Sequence, residues 1–207
     1  MNKKILCFGD SNTWGFTPIT GERYPKGVRW TSLLGEMTGA EIIEEGLNGR
    51  TSAFDDPILP YAKGIDYIEA CVASHAPFDL LIVMLGTNDM KKYVCNCVDA
   101  SAKAVAMICN KAKAVAPDIK ILMVSPIVIG KWRPELGEML QLNMDSIENS
   151  YRFSEFFAQQ AKLNGFYFLD AAKYAQPSRE DAVHMSPENH KKLAEAMAQK
   201  VKEIFEQ

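Results

Sequence analysis

The 207-residue sequence has little that would direct it to a membrane or a nucleic acid. It contains no run approaching the ~18 apolar residues that a membrane span needs, and the apolar run after Lys4 is shorter than that of a secretion signal. Lys and Arg number 23 against 26 Asp and Glu, a formal net charge of −3, so no basic excess is present for binding phosphates. We therefore expect a cytoplasmic protein with no membrane or nucleic-acid partner.

Cysteine is also scarce, and the five cysteines are odd in number and irregularly spaced, which argues against a disulfide framework. Cys95-Asn96-Cys97 has neither a second cysteine pair nor a histidine nearby, so we interpret it as structural, with metal binding as the alternative. Several of the cysteines fall in apolar segments, where a thiol packs as a small hydrophobic group. We expect free thiols, which are typical of a reducing compartment.

What the sequence does contain is an alternation of apolar runs and helical segments. Hydrophobic residues make up 47% and charged residues 24% of the chain, a balance typical of a folded domain. The alternation predicts an α/β fold: one domain over residues 1–207, with about five parallel strands and helices on both faces of the sheet. The predicted strands are Ile5–Phe8, Ile42–Glu45, Leu80–Leu85, Ile121–Val124 and Phe166–Leu169.

Helical spacing and stop signals place helices between these strands. The last helix is predicted to begin at Pro187, directly after the cap residue Ser186. Thr13–Val28 and Pro126–Leu142 show no helical or strand pattern and follow strands, so we expect long binding loops there. The other predicted helices are Trp30–Met37, Ile65–Ser74, Val98–Val115 and Asp145–Leu163.

Three polar residues have the chemistry of a nucleophile, a general base and an orienting acid. Ser11 directly follows the first strand, at the edge where a parallel sheet binds ligands. Asp181 and His184 stand three residues apart, just before the last helix. Together they predict acyl transfer, with Ser11 attacking, His184 moving the proton and Asp181 orienting the imidazole. Taken singly, each also fits a turn or a helix cap.

An acyl transfer further needs hydrogen-bond donors aimed at the oxyanion that develops on the substrate. The backbone N–H groups of Ser11 and Gly49 and the side-chain amide of Asn88 can supply them, because Gly49 and Asn88 follow the second and third predicted strands. Glycine at position 49 also lets the backbone approach a substrate closely. We expect the rings of Trp14 and Phe16 to form the wall of the substrate pocket.

Several other polar and aromatic residues could have structural roles or roles in the site. Two further histidines are alternative general bases, and we favour neither. His75 lies at a helix end, where a cation suits the helix dipole, and His190 is expected to be solvated in the first turn of the last helix. Asp89 fits a turn that closes the central strand, and Trp30 fits the core. Arg50 either holds a substrate carboxylate or braces the second loop, and the sequence favours neither.

These residues resemble the four conserved blocks of the SGNH hydrolases, also called GDSL esterases. The combination spans nearly the whole chain and is specific, although each block alone is weak. Asn12 stands where the family usually has leucine, a difference expected to affect the pocket and not the chemistry. The matching blocks are, in the family's order, Gly9-Asp10-Ser11, Gly49, Gly86-Thr87-Asn88-Asp89 and Asp181-x-x-His184.

A closer resemblance is to the arylesterase and acyltransferase branch of that family. It implies a flavodoxin-like three-layer α/β/α sandwich, a reaction with no metal or other cofactor, and a homo-oligomer whose neighbours narrow the active-site entrance. The shared segments are Gly9-Asp10-Ser11-x-Thr13-Trp14-Gly15, Val28-Arg29-Trp30-Thr31, Glu44-Glu45-Gly46-Leu47 and Met84-Leu85-Gly86-Thr87-Asn88-Asp89.

The residues and the resemblance together predict a serine esterase or acyltransferase acting on a small-molecule ester. The expected acyl group is short, acetyl-like, and transferred through a Ser-His-Asp triad and an acyl-enzyme. A thioesterase or a sugar O-deacetylase with the same triad is the first alternative. A ligand-binding module, or a flavin-binding protein, on a similar sheet is the alternative of a different class.

Overall fold

The computed structural model describes residues 3–131 and 134–206, and within them five parallel strands form one sheet. The strands are β1 Lys4–Gly9, β2 Glu41–Gly46, β3 Leu80–Met84, β4 Lys120–Ser125 and β5 Tyr167–Asp170. They lie in the order β2-β1-β3-β4-β5, which is the flavodoxin-like order. The predicted α/β fold class is confirmed, and each strand lies within one residue of its predicted bounds.

Helices cover both faces of this sheet. The helices in the described ranges are α1 Ser11–Trp14, α2 Trp30–Thr38, α3 Gly64–His75, α4 Val98–Val115, α5 Pro134–Leu140, α6 Met144–Ser150, α7 Phe153–Asn164 and α8 Pro187–Glu206. One face packs against α2 and α8, and the opposite face packs against α3, α4 and α7. None of these helices is long and apolar enough to cross a membrane.

Strand β3 lies at the centre of the sheet and is buried along its whole length. Leu81 and Val83 belong to the core beneath α3, α4 and α7, whereas Leu80 and Ile82 belong to the core beneath α2 and α8. Because successive side chains of a strand point to opposite faces, an uninterrupted apolar run supplies both cores at once.

The single helix expected over Asp145–Leu163 is wrong, because the chain forms two helices there, α6 and α7. The Ser150 hydroxyl donates to the Ile147 carbonyl at 2.7 Å and accepts from the Ile129 N–H at 2.9 Å. A serine that bonds to nearby backbone in this way competes with the helical pattern. The helix ends at Ser150, and the restart at α7 brings Phe153 into the core.

The two stretches expected to be loops are only partly so. Thr13 completes the short helix α1 with Trp14, and the chain then runs without further helix to Val28. Pro126–Leu142 contains helix α5, and its residues 132–133 lie outside the described ones. Both stretches follow strands and border the carboxyl edge of the sheet, as expected.

That edge forms a crevice where the strand order reverses around β1. Gly9 at the end of β1 is in register with Gly46 of β2 and Met84 of β3. A Cβ at Gly46 would lie 2.2 Å from the backbone nitrogen of Trp14. Only glycine therefore lets α1 pack directly on the end of β2, which brings Ser11 to the crevice.

Candidate active site

Ser11 begins helix α1 directly after β1. The Asp10 carboxylate caps this helix by accepting the Asn12 N–H at 3.0 Å, and Gly15 ends it in the left-handed conformation, with φ of 91°. Such a one-turn helix holds both the Ser11 hydroxyl and the Ser11 N–H at the crevice. Ser11 itself is buried.

The His184 ring lies between Ser11 and Asp181. Its Nε2 is 2.8 Å from Ser11 Oγ, and its Nδ1 is 2.5 Å from Asp181 Oδ2. The three residues singled out in the sequence thus form one hydrogen-bonded chain, although 173 positions separate serine from histidine. In this arrangement a carboxylate fixes the imidazole tautomer so that the unprotonated nitrogen faces the hydroxyl.

Asp181 is fixed by its own turn. Its Oδ1 accepts the backbone N–H groups of Val183 and His184 at 3.0 and 2.9 Å. Ala182 is left-handed, with φ of 61°, which is uncommon for a residue with a side chain. Burial acts to raise the pKa of Asp181, but the hydrogen bonds and charge of His184 outweigh it and hold that pKa below its usual value. Asp181 therefore stays ionised beside the imidazole.

Hydrogen-bond donors from three loops border the cavity beside Ser11. Ser11, Gly49 and Asn88 all line this cavity, which has a volume of about 200 Å³. The N–H groups of Ser11 and Gly49 have no acceptor within the described part of the chain, and Gly49 is left-handed, with φ of 78°. Asn88 Nδ2 donates to the Arg50 carbonyl at 3.2 Å, which leaves its second N–H for a ligand.

The chain matches the GDSL-like lipase/acylhydrolase family over residues 7–192. It belongs to this family. No curated protein sequence matches it significantly. The similar proteins described next are solved structures.

Three of these structures share the fold over nearly the whole chain. Est24, a carbohydrate acetylesterase from Sinorhizobium meliloti, is 32% identical, with a TM-score of 0.93 and 99% of this chain and 100% of that chain covered. The inhibitor-bound M. smegmatis aryl esterase is 32% identical, with a TM-score of 0.91 and coverage of 97% and 99%. A carbohydrate acetylesterase family member from S. meliloti is 27% identical, with a TM-score of 0.91 and coverage of 99% and 100%. The GDSL-like chain described here is thus a carboxylic ester hydrolase, similar to the arylesterase branch.

Neither of the other histidines lies at Ser11. His75 ends α3, and its Nε2 is 2.8 Å from the Glu45 carboxylate. The expectation that His190 is solvated is wrong, because it is fully buried and its Nδ1 accepts the Trp30 N–H at 3.3 Å. Burial is the main reason that the pKa of His190 falls to about 3. His190 is therefore a neutral part of the core beneath α8.

The cavity wall includes Phe16, whose ring centroid lies 4.2 Å from that of His184. Trp14 lies outside the lining, beside Phe16 at 6.4 Å and beneath the Arg23 guanidinium at 5.5 Å. Of the two rings expected in the pocket wall, Phe16 thus lines this cavity and Trp14 does not. The lining residues are Ser11, Phe16, Asn48, Gly49, Thr87, Asn88, Lys91, Leu140, Leu142, Val183 and His184.

Asn12 holds the loop that carries His184, a role that the sequence did not indicate. Its Nδ2 donates to the Val183 carbonyl at 3.1 Å, and its Oδ1 accepts the Met185 N–H at 3.0 Å. Its own carbonyl accepts the indole N–H of Trp30 at 3.1 Å. Asn12 is buried and lies outside the cavity lining, so it bears on the cavity through the loop that supplies Val183 and His184 to that lining. Leucine at this position, usual in the family, has neither the donor nor the acceptor.

Asp89 closes the turn after β3, as expected, and also binds two serines. Its carboxylate accepts the Ser52 N–H at 2.8 Å, the Ser52 hydroxyl at 2.6 Å and the Ser101 hydroxyl at 2.5 Å. Burial raises the pKa of Asp89 to about 6, against the opposing effect of these hydrogen bonds. Asp89 thereby ties the loop that carries Gly49 to the turn that carries Asn88.

Arg50 braces the second loop, which decides between the two interpretations of this residue. Its Nη1 donates to the Gly9 carbonyl at 3.0 Å and to the Glu45 carbonyl. Its guanidinium lies 4.0 Å from the centroid of the Phe8 ring. Burial lowers the pKa of Arg50. These contacts hold the ends of β1 and β2 against the loop that carries Gly49.

We expect Asn12→Ala to lower kcat for ester hydrolysis by roughly 10- to 100-fold with little change in KM, because small displacements of a catalytic group cost rate steeply. The substitution removes both hydrogen bonds that flank His184 and leaves a buried carbonyl and N–H unpaired. Steady-state kinetics well below the unfolding temperature of the variant would measure the effect.

The matched control is Asn149→Ala, which removes two amide hydrogen bonds to Asn96 outside the cavity. It should lower the unfolding temperature without changing kcat. Equal kcat in Asn12→Ala and the unmodified enzyme would show that Asn12 does not position His184.

Proposed function

We propose that the chain hydrolyses esters of short acyl groups, acetyl esters above all, through a covalent acyl-enzyme on Ser11. The observation that carries the proposal is the 2.8 Å contact between Ser11 Oγ and His184 Nε2, with Asp181 on the far side of the ring. A hydroxyl is a weak nucleophile until a neighbouring base can remove its proton.

In the first half of the reaction, Ser11 Oγ attacks the ester carbonyl while His184 Nε2 takes the hydroxyl proton. The carbonyl oxygen becomes an oxyanion, which the N–H groups of Ser11, Gly49 and Asn88 stabilise. Asp181 stabilises the imidazolium without taking its proton. The carbon–oxygen bond to the leaving alcohol then breaks, and His184 gives its proton to that alcohol.

In the second half, His184 takes a proton from water as the water oxygen attacks the acyl carbon. The ester bond to Ser11 breaks, its Oγ recovers the proton from His184, and the free acid leaves. An alcohol in place of water would give acyl transfer by the same steps, so acceptor choice depends on access to the acyl-enzyme.

A short acyl group is favoured by the size and lining of the cavity. Its volume of about 200 Å³ is below the ~300–1,000 Å³ of clefts that enclose larger ligands. Phe16 covers one face of the His184 ring, and Leu140 and Leu142 add apolar wall. We infer that these side chains leave room for an acetyl or butyryl group beside Ser11 and crowd longer chains.

A hydroxylated alcohol is favoured on the leaving-group side. Asn48 and Thr87 both line the cavity with polar side chains. Asn48 Oδ1 and Thr87 Oγ1 are closed off from solvent and have no partner among the described residues, so each side chain must rotate to meet a sugar hydroxyl. That hydroxyl would then supply the hydrogen bond that buried polar atoms normally have. Est24 and the M. smegmatis enzyme are a carbohydrate acetylesterase and an aryl esterase, so we propose acetylated sugars before aryl esters.

A thioesterase acting on nucleotide-linked substrates is less well supported. The cation in the cavity lining is Lys91, and its Nζ is 2.8 Å from the buried Asp56 carboxylate. That pairing leaves it poorly placed to hold a phosphate. Acetyl-CoA is the substrate that would show this alternative.

The acyl preference is tested with p-nitrophenyl acetate, butyrate and dodecanoate, together with an acetylated monosaccharide. We expect kcat/KM for acetate to exceed that for dodecanoate by roughly 10²-fold or more, because a pocket that excludes extra methylenes discriminates by a few kcal/mol. Phe16→Ala should narrow this ratio by improving the longer esters.

Equal kcat/KM for acetate and dodecanoate would contradict the short-acyl proposal. Ser11→Ala supplies the background rate for every ester. The acetylated monosaccharide and p-nitrophenyl acetate differ in the alcohol alone, so Asn48→Ala should raise KM for the sugar ester more than for the aryl ester.

A further inference from the structure

A second cluster of reactive side chains lies at the edge of the sheet, outside the cavity beside Ser11. Glu45 belongs to the edge strand β2, and Cys71 and His75 lie four residues apart on α3. One ligand atom from each of the three side chains lies within 4.8 Å of the other two. The catalytic proposal uses none of them, and none lines the cavity with Ser11.

We propose that Glu45, Cys71 and His75 bind one divalent transition-metal ion, with Zn²⁺ as the best fit. Thiolate, imidazole and carboxylate are the ligands that Zn²⁺ takes, at about 2.0–2.3 Å from the ion. The mixture of a soft sulfur with nitrogen and oxygen disfavours Mg²⁺ and Ca²⁺, which take oxygen ligands. Three protein ligands leave a fourth tetrahedral position for water.

The three side chains must adjust to bind one ion. His75 Nε2 and Glu45 Oε1 are 2.8 Å apart, closer than two ligands of one ion, so these two side chains must separate slightly. Residues four apart on a helix lie on the same face, which directs Cys71 and His75 toward the same point. The side chains of His75 and Glu45 are 32% and 19% exposed, so an ion can enter from solvent although Cys71 is fully buried.

Metal binding to Cys71 has a definite proton and charge balance. The thiol proton leaves to solvent as the metal–sulfur bond forms. Glu45 and the thiolate then offset the two positive charges of the ion, in the presence of the positive charge of the buried Arg50.

Co²⁺ is the probe for this site, because a thiolate bound to Co²⁺ gives a charge-transfer absorption in the near ultraviolet. Titration of untagged full-length protein should give a saturable band with one ion per chain, and Zn²⁺ should abolish the band by competition. Cys71→Ser should lose the band, and His75→Gln should raise the half-saturating Co²⁺ concentration by at least about tenfold.

The control is the double variant Cys95→Ser and Cys97→Ser, which removes the more exposed thiols and should keep the band unchanged. Absence of a saturable band in the unmodified protein would overturn the proposal. So would a band that survives in Cys71→Ser, or one that disappears in the double variant. Thermal unfolding in metal-free buffer checks that each variant is folded, and His75→Gln decides the question if Cys71→Ser does not fold.

Discussion

Ser11→Ala is expected to lower kcat for p-nitrophenyl acetate by roughly 10⁴- to 10⁶-fold, since removing the nucleophile of such a triad costs that much. KM should change little, because the cavity and its donors remain. The N–H of residue 11 and the cap made by Asp10 do not depend on the serine side chain. The variant should therefore unfold near the temperature of the unmodified protein.

His184→Ala should have an effect of similar size, and the double variant should be no slower than either single one, because the two residues act as a unit. A serine-directed organophosphonate should form one adduct, which peptide mapping should place on Ser11. Ser154→Ala, on α7 and outside the cavity lining, is the matched serine control and should label and turn over normally. The assignment would be contradicted if the fall in kcat in the double variant equalled the product of the two single falls. It would also be contradicted if the organophosphonate labelled another serine.

The sheet was predictable from the sequence because its signals are local. A short, continuous apolar run such as Leu80–Met84 is typical of a central parallel strand. In the structure this strand is buried on both faces. Parallel strands then bring all their carboxyl ends to one edge. This is why Ser11, Gly49 and Asn88 could be placed together before any distance was known.

The contacts that organise the site were not predictable, because they depend on distant parts of the chain. Asn12 bonds to Val183 and Met185, which lie more than 170 positions away. The first turn of a capped helix is usually solvated, but His190 is buried, where its ring accepts the Trp30 backbone N–H and meets the Tyr24 ring edge-on.

The same limit applies to the cysteines and to the interrupted helix. The close spacing of Cys95 and Cys97 raised the alternative of a metal site there. Cys71, in contrast, lies near His75 and Glu45 only because α3 packs beside β2. At the end of α6, the Ser150 hydroxyl accepts a hydrogen bond from the Ile129 N–H, in a segment that follows β4. The sequence alone indicates neither the cluster of Cys71, His75 and Glu45 nor the contact between Ser150 and Ile129.

Asn88→Ala is expected to lower kcat by roughly 10²- to 10³-fold, the usual cost of removing one donor to an oxyanion. Asn88 Nδ2 already donates to the Arg50 carbonyl at 3.2 Å, so the amide is held in place before substrate arrives. Its second N–H gains a full acceptor only when the carbonyl oxygen becomes charged. The loss should therefore fall on kcat, with KM nearly unchanged.

Asn48→Ala is the matched comparison, because both asparagines line the same cavity and each variant loses one amide. We propose that Asn48 contacts the alcohol part of the ester, a contact that is made equally in the ground state and in the transition state. Its loss should therefore raise KM for an acetylated sugar and leave kcat largely intact. If Asn88→Ala instead changed KM alone, Asn88 would be a substrate-binding residue, and the backbone N–H groups of Ser11 and Gly49 would have to stabilise the oxyanion without it.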